Sequence, residues 1–201
     1  MQLIIILLCA LAALIELDNT SIGQFGFGRA FITGTIFGVA TGDCWSGMQL
    51  GMFIELLFLD YTPVGGVLPP NGTMAAFCAV MAKFFGWPAC FAFAFGIMAG
   101  IIFKYIEIFL RGLSGRLLMM NMTELPNHPI KIMNRFIFNT LCLQLAVNFI
   151  FTLVVVFIVK QIIFHTPEIN YKLQVAFNFA YLSVPWMGVM LLLKKFTFKV
   201  R

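Results

Sequence analysis

The sequence predicts an all-α integral membrane protein, a polytopic helical bundle with broken and re-entrant helices in its N-terminal half. Three observations lead there. Of 201 residues, 61% are hydrophobic and only 10% charged, against about 25% charged in soluble domains. Uncharged stretches at 84–103, 136–159 and 173–193 each reach the ~20 residues that a bilayer span needs. In the N-terminal half, shorter apolar runs are interrupted by acids, glycines and prolines. The 13 basic and 8 acidic residues cannot form the polar skin of a soluble globule. That excludes a soluble domain, a disordered chain and a nucleic-acid binder, although the net charge is +5.

Residues 1–15 are uncharged and predict a retained first helix. No Lys or Arg precedes the run, so the basic region of a signal peptide is missing. Glu16 and Asp18 end the run. Residues 30–42 and 44–54 are uncharged on either side of Asp43. They read as one span with a buried acid or as two half-helices meeting at Gly42-Asp43. Gly34, Gly38 and Gly42 recur every four residues, as do Gly47 and Gly51, which puts small residues on one helix face for close packing.

Residues 61–82 are uncharged but broken by Pro63, Gly65-Gly66, Pro69-Pro70 and Gly72. Proline removes an amide donor and clashes with the preceding turn. Irregular backbone at membrane depth must be buried in protein or line a polar cavity. An extramembrane loop at 60–73 is the alternative.

These features divide the chain into an N-terminal membrane region with the substrate site (1–110), a linker (111–135) and a C-terminal helical hairpin with a basic tail (136–201). The linker holds Arg111, Arg116, Lys131 and Arg135 against Glu124, and the tail holds Lys194, Lys195, Lys199 and Arg201. Two spans separate linker from tail, so both fall on one side, and the charge rule makes that side cytoplasmic. The five cysteines lie in apolar runs without CxxC spacing, as packing residues rather than metal ligands. No metal or cofactor is expected.

Acids inside apolar runs carry the chemistry, because a charge at mid-bilayer is costly and usually faces a cavity or a partner. Asp43, Glu55 and Asp60 are the candidates, with Asn71 in the broken segment. Glu55 lies in Met52-Phe53-Ile54-Glu55-Leu56-Leu57-Phe58, where an ion pair with Arg29 or Lys83 is the structural alternative to a ligand site. Carboxylate and carboxamide groups on broken backbone suit a polyhydroxylated solute, and discontinuous segments are where transporters bind substrate. His128 and His165 have no acid and nucleophile beside them, and no catalytic motif is present, so no catalytic residue is expected.

From Gln24 to Ala76 the chain resembles the membrane subunit IIC of the mannose–fructose–sorbose branch of the bacterial sugar phosphotransferase system. The resembling features are Gln24-Phe25 and Arg29 ahead of Thr33-Gly34-Thr35, then Gly38, Gly42-Asp43, Gly47, Gly51 and Ile54-Glu55, then Gly65-Gly66 and Pro69-Pro70-Asn71. The resemblance implies a sugar-translocating subunit in the bacterial cytoplasmic (inner) membrane, binding a hexose or amino sugar for phosphorylation by a IIB subunit. It implies a IID membrane partner, soluble IIA and IIB subunits, an oligomer in the lipid bilayer, and no phosphorylated residue in the chain itself. It carries substrate-binding roles to Glu55 and Asn71 first, then to Asp43 and Gln24. Mannose-type members often have Asp where this chain has Asn71, and usually Pro where it has Ala30. Members continue beyond the position of Arg201, so a C-terminally shortened subunit that only assembles with a IID-like partner is the alternative. A lipid-active membrane enzyme using Asp43 and Asp60 is a third reading.

Overall fold

A computed structural model describes residues 2–61, 68–120, 129–165 and 171–198. The described residues form seven α-helices: α1 (Gln2–Thr20), α2 (Ala30–Thr41), α3 (Cys44–Phe58), α4 (Gly72–Phe84), α5 (Ala89–Met120), α6 (Pro129–His165) and α7 (Tyr171–Phe198). Four of them, α1, α5, α6 and α7, are long and apolar enough to cross a membrane. The other three have 12, 15 and 13 residues. At 1.5 Å per residue they measure about 18–23 Å, short of the ~30 Å hydrocarbon layer.

The chain breaks between α2 and α3 because two residues each terminate one helix. Gly42 takes the left-handed conformation, with φ 87°, which glycine adopts without Cβ strain. The amides of Gly42 and Asp43 reach back to Val39 O and Gly38 O at 3.2 and 2.9 Å, closing α2 in the manner of a Schellman cap. Asp43 then caps α3 by accepting the Ser46 amide at 3.1 Å. Of the two readings left open by the sequence, the structure therefore has two helices.

Glycines set how closely these helices pack. A Cβ at Gly34 would meet Gly47 O at 2.5 Å and Gly51 Cα at 2.8 Å. A Cβ at Gly47 would meet Gly38 Cα at 2.5 Å. Backbone therefore touches backbone along the antiparallel α2–α3 hairpin. Dispersion gained at such contacts drives helix association in lipid, where apolar burial contributes little.

α4 is the central helix, touching α1, α2, α3, α5 and α6. Every residue from Thr73 to Ala82 is buried. Around it Phe37 and Phe77 meet edge to face with ring centroids 4.8 Å apart, above the fully buried Leu50, Ile54, Met74 and Met81. α6 lies along α1, and α7 lies across α3 and α5, where the Tyr181 ring packs at steep angles against Phe53 and Phe93. Large apolar side chains on α1, α6 and α7 point outward, among them Leu7, Phe157, Phe179 and Trp186, as a lipid-facing surface requires.

Two details differ from the simplest reading of the sequence. α1 does not stop at Glu16 and Asp18 but runs on to Thr20, because both acids have partners in the fold. The helices also continue into the stretch read as a linker: α5 extends to Met120 and α6 starts at Pro129. Gly112 and Gly115 face open space there, and a helical glycine costs only about 1 kcal/mol. Proline is tolerated at the first helical position. The broken region 61–82 is non-helical at 68–71 and helical from Gly72, while residues 62–67, with Pro63 and Gly65-Gly66, lie outside the described residues.

Candidate functional site

The connection between α1 and α2 begins the site. Asp18, near the end of α1, accepts the amides of Phe25 at 2.9 Å and Phe27 at 3.0 Å through its two carboxylate oxygens. One side chain thereby satisfies two backbone donors that would otherwise be orphaned. It also fixes the turn that delivers Arg29 to the start of α2.

Arg29 meets Glu55, near the C-terminus of α3, with Nη2 2.7 Å from Oε1. The other oxygen, Oε2, accepts the Phe31 amide at 3.0 Å. Glu55 thus occupies an apolar sequence segment with both oxygens engaged, and its side chain is half-buried. The ion pair with Arg29 is present; Lys83 stands at the opposite end of the bundle.

Asn71 precedes α4 and does three things. Its Oδ1 accepts the Met74 amide at 2.9 Å, capping the helix. Its own amide donates to Gly100 O on α5 at 3.2 Å. Its Nδ2 donates to Glu16 Oε1 at 2.6 Å. Glu16 is fully buried and also accepts Asn19 Nδ2 at a long 3.5 Å. Beside it Thr73 Oγ1 donates to Gly28 O at 2.7 Å, tying α4 to the α1–α2 turn.

Arg29, Glu55 and Asn71 converge on one cavity of about 440 Å³. Its polar lining comes from Asn19, Arg29, Glu55, Tyr61, Asn71, Glu107 and Arg111, and its apolar lining includes Phe58, Leu59, Leu68, Pro69 and Pro70. Glu107 and Arg111, one turn apart on α5, pair at 2.6 Å. The volume falls within the range of about 300–1,000 Å³ for small-molecule sites.

Of the four residues read from the sequence as substrate ligands, the fold brings two together: Glu55 and Asn71 line this cavity. Asp43 does not join them. It lines a separate pocket of about 320 Å³ with Thr41, Ser46 and Lys83. Twelve residues of α3, about 18 Å along the axis, separate it from Glu55. Hydrogen bonds from Ser46 hold its carboxyl below the usual carboxylate range. Gln24 is exposed in the α1–α2 turn with φ 52° and is not among the cavity's lining residues. Asp60 is exposed.

Five polar lining residues, Asn19, Arg29, Tyr61, Glu107 and Arg111, were not nominated as ligands by the sequence. Glu107 and Arg111 bore a faint signal, an acid and a base spaced i, i+4. Asn19 bore none, and Arg29 was weighed only as an ion-pair partner. Glu16, which supports the site without lining it, looked only like the end of an apolar run.

Comparison with known proteins places this architecture. The family profile of the PTS system sorbose-specific IIC component matches residues 1–199. The N-acetylgalactosamine permease IIC component 1 of Escherichia coli (strain K12) is 34% identical over 103 residues, which cover 51% of this chain and 38% of that protein. The matched stretch thus spans well under half of that relative's length. A solved structure described as a membrane protein superposes with a TM-score of 0.82 at 18% identity, covering 98% of this chain and 80% of the other. A cryo-EM structure of the mannose transporter ManYZ with microcin E492 superposes with a TM-score of 0.71 at 17% identity, with the same two coverages. At those identities the superpositions establish a shared fold. With the family profile covering nearly the whole sequence, this multi-helical membrane chain belongs to the sorbose-specific IIC family of phosphotransferase-system sugar transporters.

Proposed function

We propose that the chain is the sugar-translocating subunit of a phosphoenolpyruvate-dependent phosphotransferase complex. It binds a hexose or amino sugar in the cavity between Glu55 and Asn71. The observation that carries this reading is the convergence of those two residues, from the end of α3 and the start of α4, on one cavity. A carboxylate accepts from adjacent hydroxyls, and the polar rim of Asn19, Arg29 and Arg111 supplies donors. The E. coli relative is named for N-acetylgalactosamine, which makes that amino sugar the first substrate to test.

The cavity end of the bundle is also its basic end. The helices alternate in direction, so Arg29, Arg111, Arg116, Arg135 and Lys194 lie toward it, while Lys83, Lys160 and Lys172 lie toward the other. The excess of Lys and Arg on cytoplasmic surfaces orients the cavity toward the cytoplasm of a bacterial inner membrane. A sugar held there is within reach of a phosphorylated IIB subunit, itself charged through IIA. A IID subunit completes the membrane part.

The test is reconstitution in vesicles with IID, IIA and IIB subunits and phosphoenolpyruvate. Phosphorylated N-acetylgalactosamine or another hexose should accumulate inside, and Glu55→Gln should abolish it. Assembly with IID but no transport of any hexose would overturn this reading and leave a subunit that only assembles.

A further inference from the structure

We propose that the mouth of the same cavity also receives the phosphate of a hexose phosphate, with Arg29 exchanging Glu55 for the phosphate oxygens while Arg111 remains with Glu107. This rests on the sugar-site reading above and names the side chain that takes up the phosphate once the bound sugar carries it. Arg29 and Arg111 both line the cavity, and their side chains are 68% and 59% exposed. Each ion pair engages a single terminal nitrogen, Nη2. A guanidinium carries five N–H donors in a planar fork, a geometry suited to phosphate oxygens.

Charge balance gives the reason for an exchange. The charged lining residues are Arg29, Arg111, Glu55 and Glu107, two of each sign. That set is neutral and suits an uncharged hexose. A phosphoryl group adds about 1.5–2 negative charges. Two carboxylates would repel it unless a guanidinium turns from its carboxylate to the phosphate.

The two pairs differ in what that turn leaves behind. Glu55 is partly exposed, and its Oε2 keeps the Phe31 amide; exposed ion pairs contribute little and part readily. Glu107 has only 8% of its side chain exposed, and stranding a buried carboxylate is strongly unfavourable. Arg29 is therefore the member that moves. Its backbone is extended at the start of α2 and its side chain makes no capping bond, so the movement disturbs no helical hydrogen bond. The exchange would also free Glu55 Oε1 as the sugar becomes phosphorylated, coupling phosphate arrival to a change in the sugar contact.

The experiment is calorimetric titration of the full chain in a maltoside detergent, where no lipid phosphate competes. The probes are N-acetylgalactosamine, its 6-phosphate and inorganic phosphate. The 6-phosphate should bind and displace the free sugar. Arg29→Gln should lower the preference for 6-phosphate over free sugar about tenfold, as expected for loss of a charge-assisted bond. Arg29→Lys should restore part of it, and Arg116→Gln, outside the cavity, should leave the preference unchanged. Monodisperse elution checks that each variant is folded. If the free sugar binds but the 6-phosphate does not, or its preference ignores Arg29, the exchange is overturned and the sugar site stands. If inorganic phosphate binds as tightly as the 6-phosphate, the exchange is likewise overturned. Should neither sugar nor sugar phosphate bind, the sugar-site reading fails as well.

Discussion

Glu16 and Asn71 lie 55 residues apart and share a 2.6 Å hydrogen bond inside the helical bundle. Asn71 turns its amide nitrogen to the carboxylate and its carbonyl oxygen to the Met74 amide. Its rotamer is thereby held from both ends, and the start of α4 is held with it. Glu16→Gln keeps an acceptor for Asn71 and should be tolerated. Glu16→Ala strips a buried donor of its partner, at a cost of about 1–3 kcal/mol. Thermal unfolding in detergent should show the larger drop for the alanine variant. Equal drops would mean that the hydrogen bond is not what Glu16 contributes.

Asn71→Ala should be worse than either. It removes the α4 cap, about 1 kcal/mol, and leaves the Glu16 carboxylate short of a donor at a further ~1–3 kcal/mol. The protein should unfold at a lower temperature and lose sugar binding in the same titration. Retained binding would remove Asn71 from the site.

Gly100 governs the same region from α5. A Cβ there would stand 2.7 Å from Asn71 O and 2.8 Å from Ala75 Cβ, and backbone cannot yield as a side-chain tip can. Gly100→Ala should push the start of α4 outward, costing about 1–3 kcal/mol as an overpacked contact. Sugar affinity should fall although no cavity-lining side chain has changed. An unchanged affinity would show that the cavity tolerates movement of α4.

Glu55→Gln separates binding from stability. The amide oxygen can still accept the Phe31 amide, and the lost pair with the exposed Arg29 is worth only about 0–1 kcal/mol. The unfolding temperature should barely move. Sugar affinity should fall by about tenfold or more, the size of a lost hydrogen bond to a charged group. Unchanged affinity would reduce Glu55 to a structural ion-pair partner.

Asp43→Ala provides the contrast at the far end. It removes the α3 cap, at about 1 kcal/mol, some 18 Å from the cavity by helix length. Stability should fall and sugar binding should not. Because the folded-state carboxyl titrates below its ordinary value of 3.8, the cap's contribution is present above that value. It is lost as pH falls through the lower folded pKa. Wild type and variant should therefore converge in stability only in strong acid. A loss of sugar binding in Asp43→Ala would bring this residue back into the site.

The amino-acid sequence was sufficient for the membrane class, the long spans and the break before Gly72. Those follow from local quantities: apolar run length, glycine spacing and proline's missing donor. The Gly34, Gly38, Gly47 and Gly51 pattern likewise announced a close helix pair, since a missing Cβ acts where it stands. Local patterning could also nominate Glu55, an acid conspicuous in an apolar run, and Asn71, a carboxamide on the proline-broken segment. It could not tell that Asp43 would be carried to the other end, because helix direction only becomes spatial separation once α2 and α3 fold back on each other. Nor could it expose Glu16, Glu107 or Arg111. Their place beside Asn71 depends on α1, α4 and α5 meeting, and contacts between residues so distant along the chain are settled only by how the helices pack.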